Sequence, residues 1–326
     1  MLTRAVQTAL SVLTIVFVSC QIGSAQGGLT GSGESPNLDG CPIFPADNIW
    51  NTRIDSLPVH ANSAGYLRTI GLSTSLRADF GSGLWDGGPI GIPYATVGSG
   101  QAGADVSFDY DDESDPGPYP IPPDPPIEGG RNGDGDRHII IVDTDARILY
   151  ELFYAYPDGR GGWTAGSGAI FDLESNDLRP ETWTSADAAG LPIFPGLVRY
   201  EEIEAGSIDH AIRFTVPDTQ RAYLWPARHY ASSNTDPHYP PMGLRLRLRA
   251  DYDISGFSPT NRIILTALKE YGLILADNGA AIFISGAPDE RWDNDELREL
   301  MRVTAADLEA VDVSSLMVTP DSAAAR

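Results

Sequence analysis

The segment 223–233, "YLWPARHYASS", places Arg228, His229 and Tyr230 side by side after Pro226, where a predicted strand ends. Proline has no N–H group to donate to a sheet, so Pro226 marks a strand edge or exit. Titratable groups at such strand ends often carry binding or catalysis. The alternative is structural: Arg228 would pair with a nearby carboxylate, and His229 would lie half exposed.

A sugar ligand suits the residues around this trio. Tyr223 and Trp225 share one strand face, and aromatic rings can cover the C–H faces of sugars while arginine, histidine and carboxylates bond the hydroxyls. The histidine and tyrosine of the trio could also abstract a C5 proton from a uronate and protonate the leaving oxygen, with Arg213 or Arg228 neutralising the acid group. The segment therefore indicates glycan binding, and elimination is one reaction it would support.

Two carboxylates suggest hydrolysis instead. Glu151 lies inside the apolar segment 148–156, "ILYELFYAY", where desolvation would raise its pKa toward that of a general acid. Glu128 follows a proline run in "PPIEGG" and could overhang a cleft as the second member of a pair. Hydrolysis of a glycosidic bond needs two carboxyl groups about 5 to 10 Å apart. The alternative for Glu151 is an ion pair with an arginine.

The segment 208–214, "IDHAIRF", contributes three further candidates. On a strand, His210 points with the apolar residues while Arg213 points to the opposite face. A histidine on an apolar face is often a hydrogen-bonded core residue, and in that case Asp209 could act on a neighbouring strand instead. Asp209 and His210 are therefore catalytic candidates, and Arg213 is a substrate-binding candidate.

A calcium site is the one cofactor that the sequence suggests. Asn132, Asp134 and Asp136 occupy alternate positions in "RNGDGD", as at the start of a calcium loop, and their oxygens could converge on a hard cation. Arg137, however, stands where such a loop needs its turn glycine. The alternative is a solvated turn before a strand.

Charge excludes one class of partner. The formal net charge is -23, so a phosphate backbone would repel the chain, and we expect no nucleic-acid partner. The same charge disfavours polyanionic substrates, so a neutral or cationic glycan ranks above a uronate. Of the 22 basic residues, only Lys269 is a lysine.

The ends of the chain predict export. Residues 1–25 have the charged start, apolar run and small-residue end of a signal peptide. An alternative is a lipoprotein with the lipid on Cys20. Residues 26–40 read as a flexible leader, 41–318 as a single globular domain and 319–326 as a disordered tail. No later run is apolar enough for a membrane span, and Cys41 would be the only cysteine left after cleavage.

Short apolar segments, 34 glycines and 25 prolines favour strands and turns over long helices. The strand at 243–253 alternates leucine and arginine, which predicts one core face and one wet face. Ser258, Pro259 and Gly272 predict the cap, first residue and stop of a helix. Residues 109–136 read as a long surface loop. The fold class is α+β and β-rich: a sandwich or barrel-like antiparallel sheet core with a few helices, mainly C-terminal.

Several segments resemble a family of exported bacterial proteins of unestablished function. The resemblance rests on "CPIFPADNIWNT", "GDRHIIIVD", "RPETWTSADAAGLPIFPGLVRYEE", "LWPARHYAS", "PPMGLRLRLRADYDISGF" and "YGLILADNGAAIFISGAPDERW" among others, and covers nearly the whole chain after the signal segment. It implies one exported domain and no particular reaction. We therefore expect a secreted protein that cleaves an extracellular polysaccharide, or else a non-catalytic protein that binds a carbohydrate or another partner.

Overall fold

Two mixed β-sheets carry the fold, with helices at their edges. The computed structural model describes residues 35–38 and 40–326, so the predicted signal peptide, Cys20 and most of the leader lie outside the described residues. The strands are β1 Asn37–Leu38, β2 Cys41–Pro42, β3 Arg77–Asp79, β4 Leu84–Trp85, β5 Gly88–Pro89, β6 Tyr94–Val97, β7 Val106–Phe108, β8 Ile139–Asp143, β9 Ile148–Phe153, β10 Tyr156–Pro157, β11 Trp163–Ala165, β12 Ser167–Asp172, β13 Ile212–Val216, β14 Arg245–Leu248, β15 Leu273–Asn278, β16 Phe283–Ser285 and β17 Leu308–Val311. The α-helices are α1 Ser63–Ile70, α2 Tyr200–Ala205, α3 Pro259–Glu270 and α4 Asn294–Leu297.

The larger sheet has six strands in the order β17, β14, β15, β13, β16, β3. Strand β13 runs parallel to β15, and β16 runs parallel to β3, while the other neighbours are antiparallel. All residues of the central strands β13 and β14 are buried. The polar side chains of β13, β15 and β16 therefore need partners inside the protein.

The smaller sheet has four strands in the order β12, β9, β8, β6 and separates two hydrophobic cores. Ile140 and Val142 of β8 face the large core that the sheet shares with the six-stranded sheet. Ile139 and Ile141 face a second core closed by Tyr119 and other residues of the long loop. Because both faces are covered, β8 is a continuous apolar run rather than an alternating one.

The prediction of an α+β, β-rich fold with few helices is confirmed. Helix α3 has the predicted ends, with Pro259 first and the Ser258 side chain accepting the N–H of Asn261. The sheets are mixed rather than purely antiparallel. The long loop also differs from expectation, because Tyr119, Ile121 and Ile127 are buried in the second core.

The prediction that the arginines of β14 face water is wrong. Arg245 and Arg247 are buried because the chain near residues 49–57 covers this face of the strand. Arg245 donates to the carbonyl oxygens of Ile49 and Thr52, and Arg247 donates to those of Ile54 and Leu57. Guanidinium groups thus satisfy backbone acceptors that a sheet partner would otherwise satisfy.

The predicted limits of the domain are also too narrow. At the N-terminal side, β1 pairs with β2 and Leu38 is buried, so the domain begins before Cys41. At the C-terminal side, residues 319–326 are not a disordered tail. Ala323 is buried and accepts the N–H of Ile49, while the carbonyl of Ser322 accepts the indole N–H of Trp225. These contacts offset the conformational entropy that is lost when this segment, which has few large apolar side chains, becomes ordered.

We predict that deletion of residues 322–326 destabilises the whole domain. The deletion removes the bonds of Ser322 and Ala323 and the bond from the Ala325 N–H to the Asp47 carbonyl. The free energy of unfolding, measured by urea denaturation, should fall by about 3 kcal/mol. Deletion of residues 325–326 alone should cost less, and equal stability of the longer deletion and the full chain would contradict the prediction.

Candidate functional site

A cleft of about 730 Å³ opens at the β3 edge of the six-stranded sheet. Its walls come from β3, from the hairpin that joins β4 to β5, from residues 128–135 and from α4 with the turn that follows. The groups that matter chemically are Arg77, Asp79, Trp85, Glu128, Asp134 and Phe283.

Asp79 and Glu128 give the cleft two carboxyl groups whose pKa values are shifted in opposite directions from their ordinary values. Desolvation in the cleft, followed by the charge of Glu128, raises the pKa of Asp79, whose side chain stays accessible to solvent. Burial opposes the ionisation of Glu128, but the charges of His138 and Arg213 outweigh it and hold its pKa below the usual range. One carboxyl group is thus kept protonated to higher pH while its neighbour stays ionised.

His138 holds Glu128 in place. Its Nδ1 lies 2.5 Å from Glu128 Oε2, and its Nε2 lies 3.0 Å from the carbonyl oxygen of Ala186. Burial alone would lower the pKa of His138, but the adjacent Glu128 carboxylate raises it to about 9. The ring is therefore a cation that donates from both nitrogens.

Three possible metal ligands lie together beside the cleft. Within residues 35–38 and 40–326, the group close enough to share an ion is Glu128, Asp136 and His138. A cation bound here would replace the proton on His138 Nδ1, while Nε2 keeps its bond to the carbonyl oxygen of Ala186. Of the predicted calcium triplet, Asp136 belongs to this group, while Asp134 lines the cleft.

An exposed aromatic hairpin forms one wall of the cleft. Trp85 is 79% exposed and Leu84 is 71% exposed, at the end of the β4–β5 hairpin. Asp86 and Gly87 both have positive φ, the conformation of a two-residue hairpin turn. A Cβ on Gly88 would lie 2.2 Å from the carbonyl carbon of Gly129, so glycine allows the hairpin to pack directly on the next wall.

Arg213 lies behind the cleft and links it to the interior. From β13 it donates to both oxygens of Asp187 at 2.6 and 2.8 Å and to Ser285 Oγ at 2.7 Å. The register of β16 and β3 places Ser285 opposite Asp79. A fourth bond, 3.3 Å long, reaches Asp277. Arg213 is therefore a buried structural cation rather than the substrate-binding residue that the sequence suggests.

Glu151 is not a cleft residue. Its carboxylate is fully buried and accepts the backbone N–H groups of Ile193, at 2.9 and 3.0 Å, and of Phe194, at 2.8 Å. Burial raises its pKa to about 7, and the two backbone donors only partly offset this. The predicted high pKa is thus present at a position that no substrate can reach, where the side chain caps the turn at Phe194–Gly196.

The candidates at 209 and 210 do not reach the cleft either. His210 is buried, with Nδ1 at 2.8 Å from the carbonyl oxygen of Ala211 and Nε2 at 2.8 Å from Glu202 Oε1. Asp209 accepts a bond from the hydroxyl of Ser207. His210 is the hydrogen-bonded core residue that the alternative interpretation described.

The trio after Pro226 separates into different roles. Arg228 donates to the Pro320 carbonyl and to Asp321 and so helps to fix the C-terminal segment. Tyr230 stacks on His229 and accepts from Arg221. His229 lines a second cavity, distinct from the cleft. The two aromatic candidates are also engaged outside the cleft, Tyr223 with Glu181 and Trp225 with Ser322.

Sequence reasoning found Glu128 and missed its neighbours Asp79 and Trp85. The available signal was the segment 84–89, "LWDGGP", in which an Asp-Gly turn follows two large apolar residues. Such a hairpin presents its side chains to solvent or to a ligand. Asp79 carries no comparable signal, because its proximity to Glu128 arises from contacts between distant segments.

Comparison with protein-family models, curated proteins and solved structures finds no match to this chain. The helices of the described region are all too short or too polar to cross a membrane. The case for a function therefore rests on the geometry of the cleft.

Replacement of Glu151 should change how stability depends on pH. The folded pKa of about 7 lies above that of an unfolded glutamate, so this group contributes stability at low pH that is lost as the pH rises through 7. The free energy of unfolding should decline between about pH 4 and pH 8, and in Glu151→Gln this decline should be smaller by about 3 kcal/mol. Urea denaturation across this range provides the measurement. The same decline in both proteins would contradict the assignment.

Arg213 should be among the most sensitive positions for stability. Arg213→Met leaves the buried Asp187 without its cation and should lower the free energy of unfolding by about 3 to 5 kcal/mol. The matched control is Arg249→Met, which removes an exposed arginine bound to Asp251 and should change stability by less than about 1 kcal/mol. Similar values for the two variants in urea denaturation would refute this role.

Proposed function

We propose that this chain is an exported protein that hydrolyses an extracellular polysaccharide in the cleft between Asp79 and Glu128. The proposal rests on one observation: in a single accessible cleft, the pKa of Asp79 is raised and the pKa of Glu128 is lowered. Such a pair supplies an acid and an ionised carboxylate at the same pH. The signal-like segment 1–25 supports export.

Each cleft residue has a distinct role in this reaction. Asp79 donates a proton to the leaving oxygen, and Glu128 acts as the ionised partner, either attacking the sugar or activating water. His138 keeps Glu128 ionised and oriented. Trp85 supplies an exposed ring on which a sugar can stack.

A neutral or cationic glycan fits the cleft best. The net charge is -23, and Asp86 and Asp134 add to the carboxylates of the walls. A polyanion would approach such a surface against repulsion. Elimination from a uronate loses support, because His229 and Tyr230 lie outside the cleft.

The second candidate function is glycan binding without cleavage. The exposed ring of Trp85 beside polar groups supports binding whether or not the carboxyl groups react. The two functions differ in whether products form.

We predict that the chain releases water-added fragments from a neutral or amino-sugar polysaccharide, detected by mass spectrometry. Asp79→Asn and Glu128→Gln should each lower the rate roughly 10²- to 10⁴-fold. The rate should fall at alkaline pH as Asp79 loses its proton and at acid pH as Glu128 gains one. A substrate whose leaving group needs no proton, such as a nitrophenyl glycoside, should lose much less rate in Asp79→Asn than in Glu128→Gln.

The matched control is Asp251→Asn, which removes an exposed carboxylate bound to Arg249 that does not line the cleft. Its rate should stay close to that of the unaltered chain. Binding without products, lost on Trp85→Ala, would favour the second function. Products with unchanged rates in both carboxylate variants would overturn the assignment of the site.

A further inference from the structure

A second cavity of about 310 Å³ lies between the end of the four-stranded sheet and β15. It is separate from the cleft, and its lining includes residues from six segments of the chain. The groups that define its chemistry are Tyr110, Glu113, Phe153, Asp187, His229 and Asp277.

His229 presents a hydrogen-bond acceptor to this cavity. Its Nδ1 lies 2.8 Å from the carbonyl oxygen of Ala188. Since a carbonyl only accepts, Nδ1 carries the proton of this bond, and Nε2 is the ring nitrogen left for a ligand. No described residue is hydrogen-bonded to this nitrogen, and the ring is only partly buried.

The carboxylate of Asp277 is only partly neutralised by its neighbours. It accepts the N–H of Asn278 at 2.7 Å, but its bond from Arg213 is 3.3 Å long because that guanidinium is directed mainly at Asp187. Burial and then the charge of Asp187 raise the pKa of Asp277 to about 7, against the opposing charges of Arg213 and His138. A cation in the cavity would supply the missing counter-charge.

The remaining walls also favour a cation. The hydroxyl of Ser167 donates to the Ser185 carbonyl, so it is not directed at a ligand. Tyr110 is 55% exposed and Phe153 is partly buried, and both offer aromatic rings that attract a positive charge. Acceptors and aromatic rings thus dominate the free groups of the lining.

We propose that this second cavity binds a protonated primary amine, with Asp277 as its counter-ion and His229 as a hydrogen-bond acceptor. Tyr110 and Phe153 form the aromatic walls of the site. The proposal is independent of glycan cleavage, because the cavity shares no lining residue with the cleft. The amine could belong to a small diamine or to an amino sugar, and the two are separated by the choice of probe.

The test is isothermal titration calorimetry of the full chain with putrescine, with tetraglucosamine and with the N-acetylated tetramer. The tetramers are titrated into the chain carrying Glu128→Gln, so that cleavage does not contribute heat. We expect putrescine or tetraglucosamine to bind and the N-acetylated tetramer not to occupy the same site. Near pH 6, binding of putrescine should release a proton from Asp277, so the measured enthalpy should depend on the ionisation enthalpy of the buffer.

Two variants separate the site from general effects on folding. Asp277→Asn should weaken amine binding roughly tenfold or more and reduce the proton release. Tyr110→Ala, at the exposed mouth of the cavity, should weaken binding roughly two- to fivefold without unfolding the chain. The control is Asp251→Asn, an exposed carboxylate whose removal should leave the affinity unchanged.

The cleft variant Asp79→Asn should bind putrescine normally, so loss of cleavage and loss of amine binding can be told apart. Failure of both amines to bind the unaltered chain would overturn the proposal. Equal affinity of Tyr110→Ala and the unaltered chain for putrescine would do the same, even if Asp277→Asn does not fold. Competition between the N-acetylated tetramer and putrescine would show that positive charge is not what the cavity recognises.

Discussion

The ion pair of Arg213 with Asp187 is the interaction on which the rest of this structure depends. It places one positive charge at the centre of a six-stranded sheet, where β13, β15 and β16 each contribute a polar side chain. At this depth, each group is the counter-charge of the other. The pair also sets the electrostatics of both cavities, since its charge acts on Glu128 on one side and on Asp277 on the other.

Several buried arginines have a structural role in this protein. Arg137, Arg245 and Arg247 each donate to three or more backbone carbonyl oxygens. Only the guanidinium group can span several acceptors in this way. Cys41 is a free, buried cysteine, and these arginine contacts help to fix the loops that they bind. The wall of the cleft at 129–133 is one such loop.

Several carboxyl groups have shifted pKa values, and access to solvent distinguishes the structural groups from the candidate functional groups. Glu151 is enclosed by backbone donors and serves the turn at 194–196. Asp79 and Glu128 line an open cleft, so a ligand can contact carboxyl groups whose pKa values are shifted. A raised pKa is therefore informative only together with access to solvent.

The sequence by itself determined the β-rich α+β class and the ends of α3, and it placed Glu128 after a proline run, because these depend on local periodicity, caps and proline. It also located Glu151 in a desolvated strand. Only the tertiary structure decided that Glu151 binds the backbone of Ile193, far along the chain, and that Asp79 meets Glu128 in a cleft. Arg228, His229 and Tyr230 have different partners for the same reason. Residues that are neighbours in sequence can contact distant segments, and no local pattern encodes that packing.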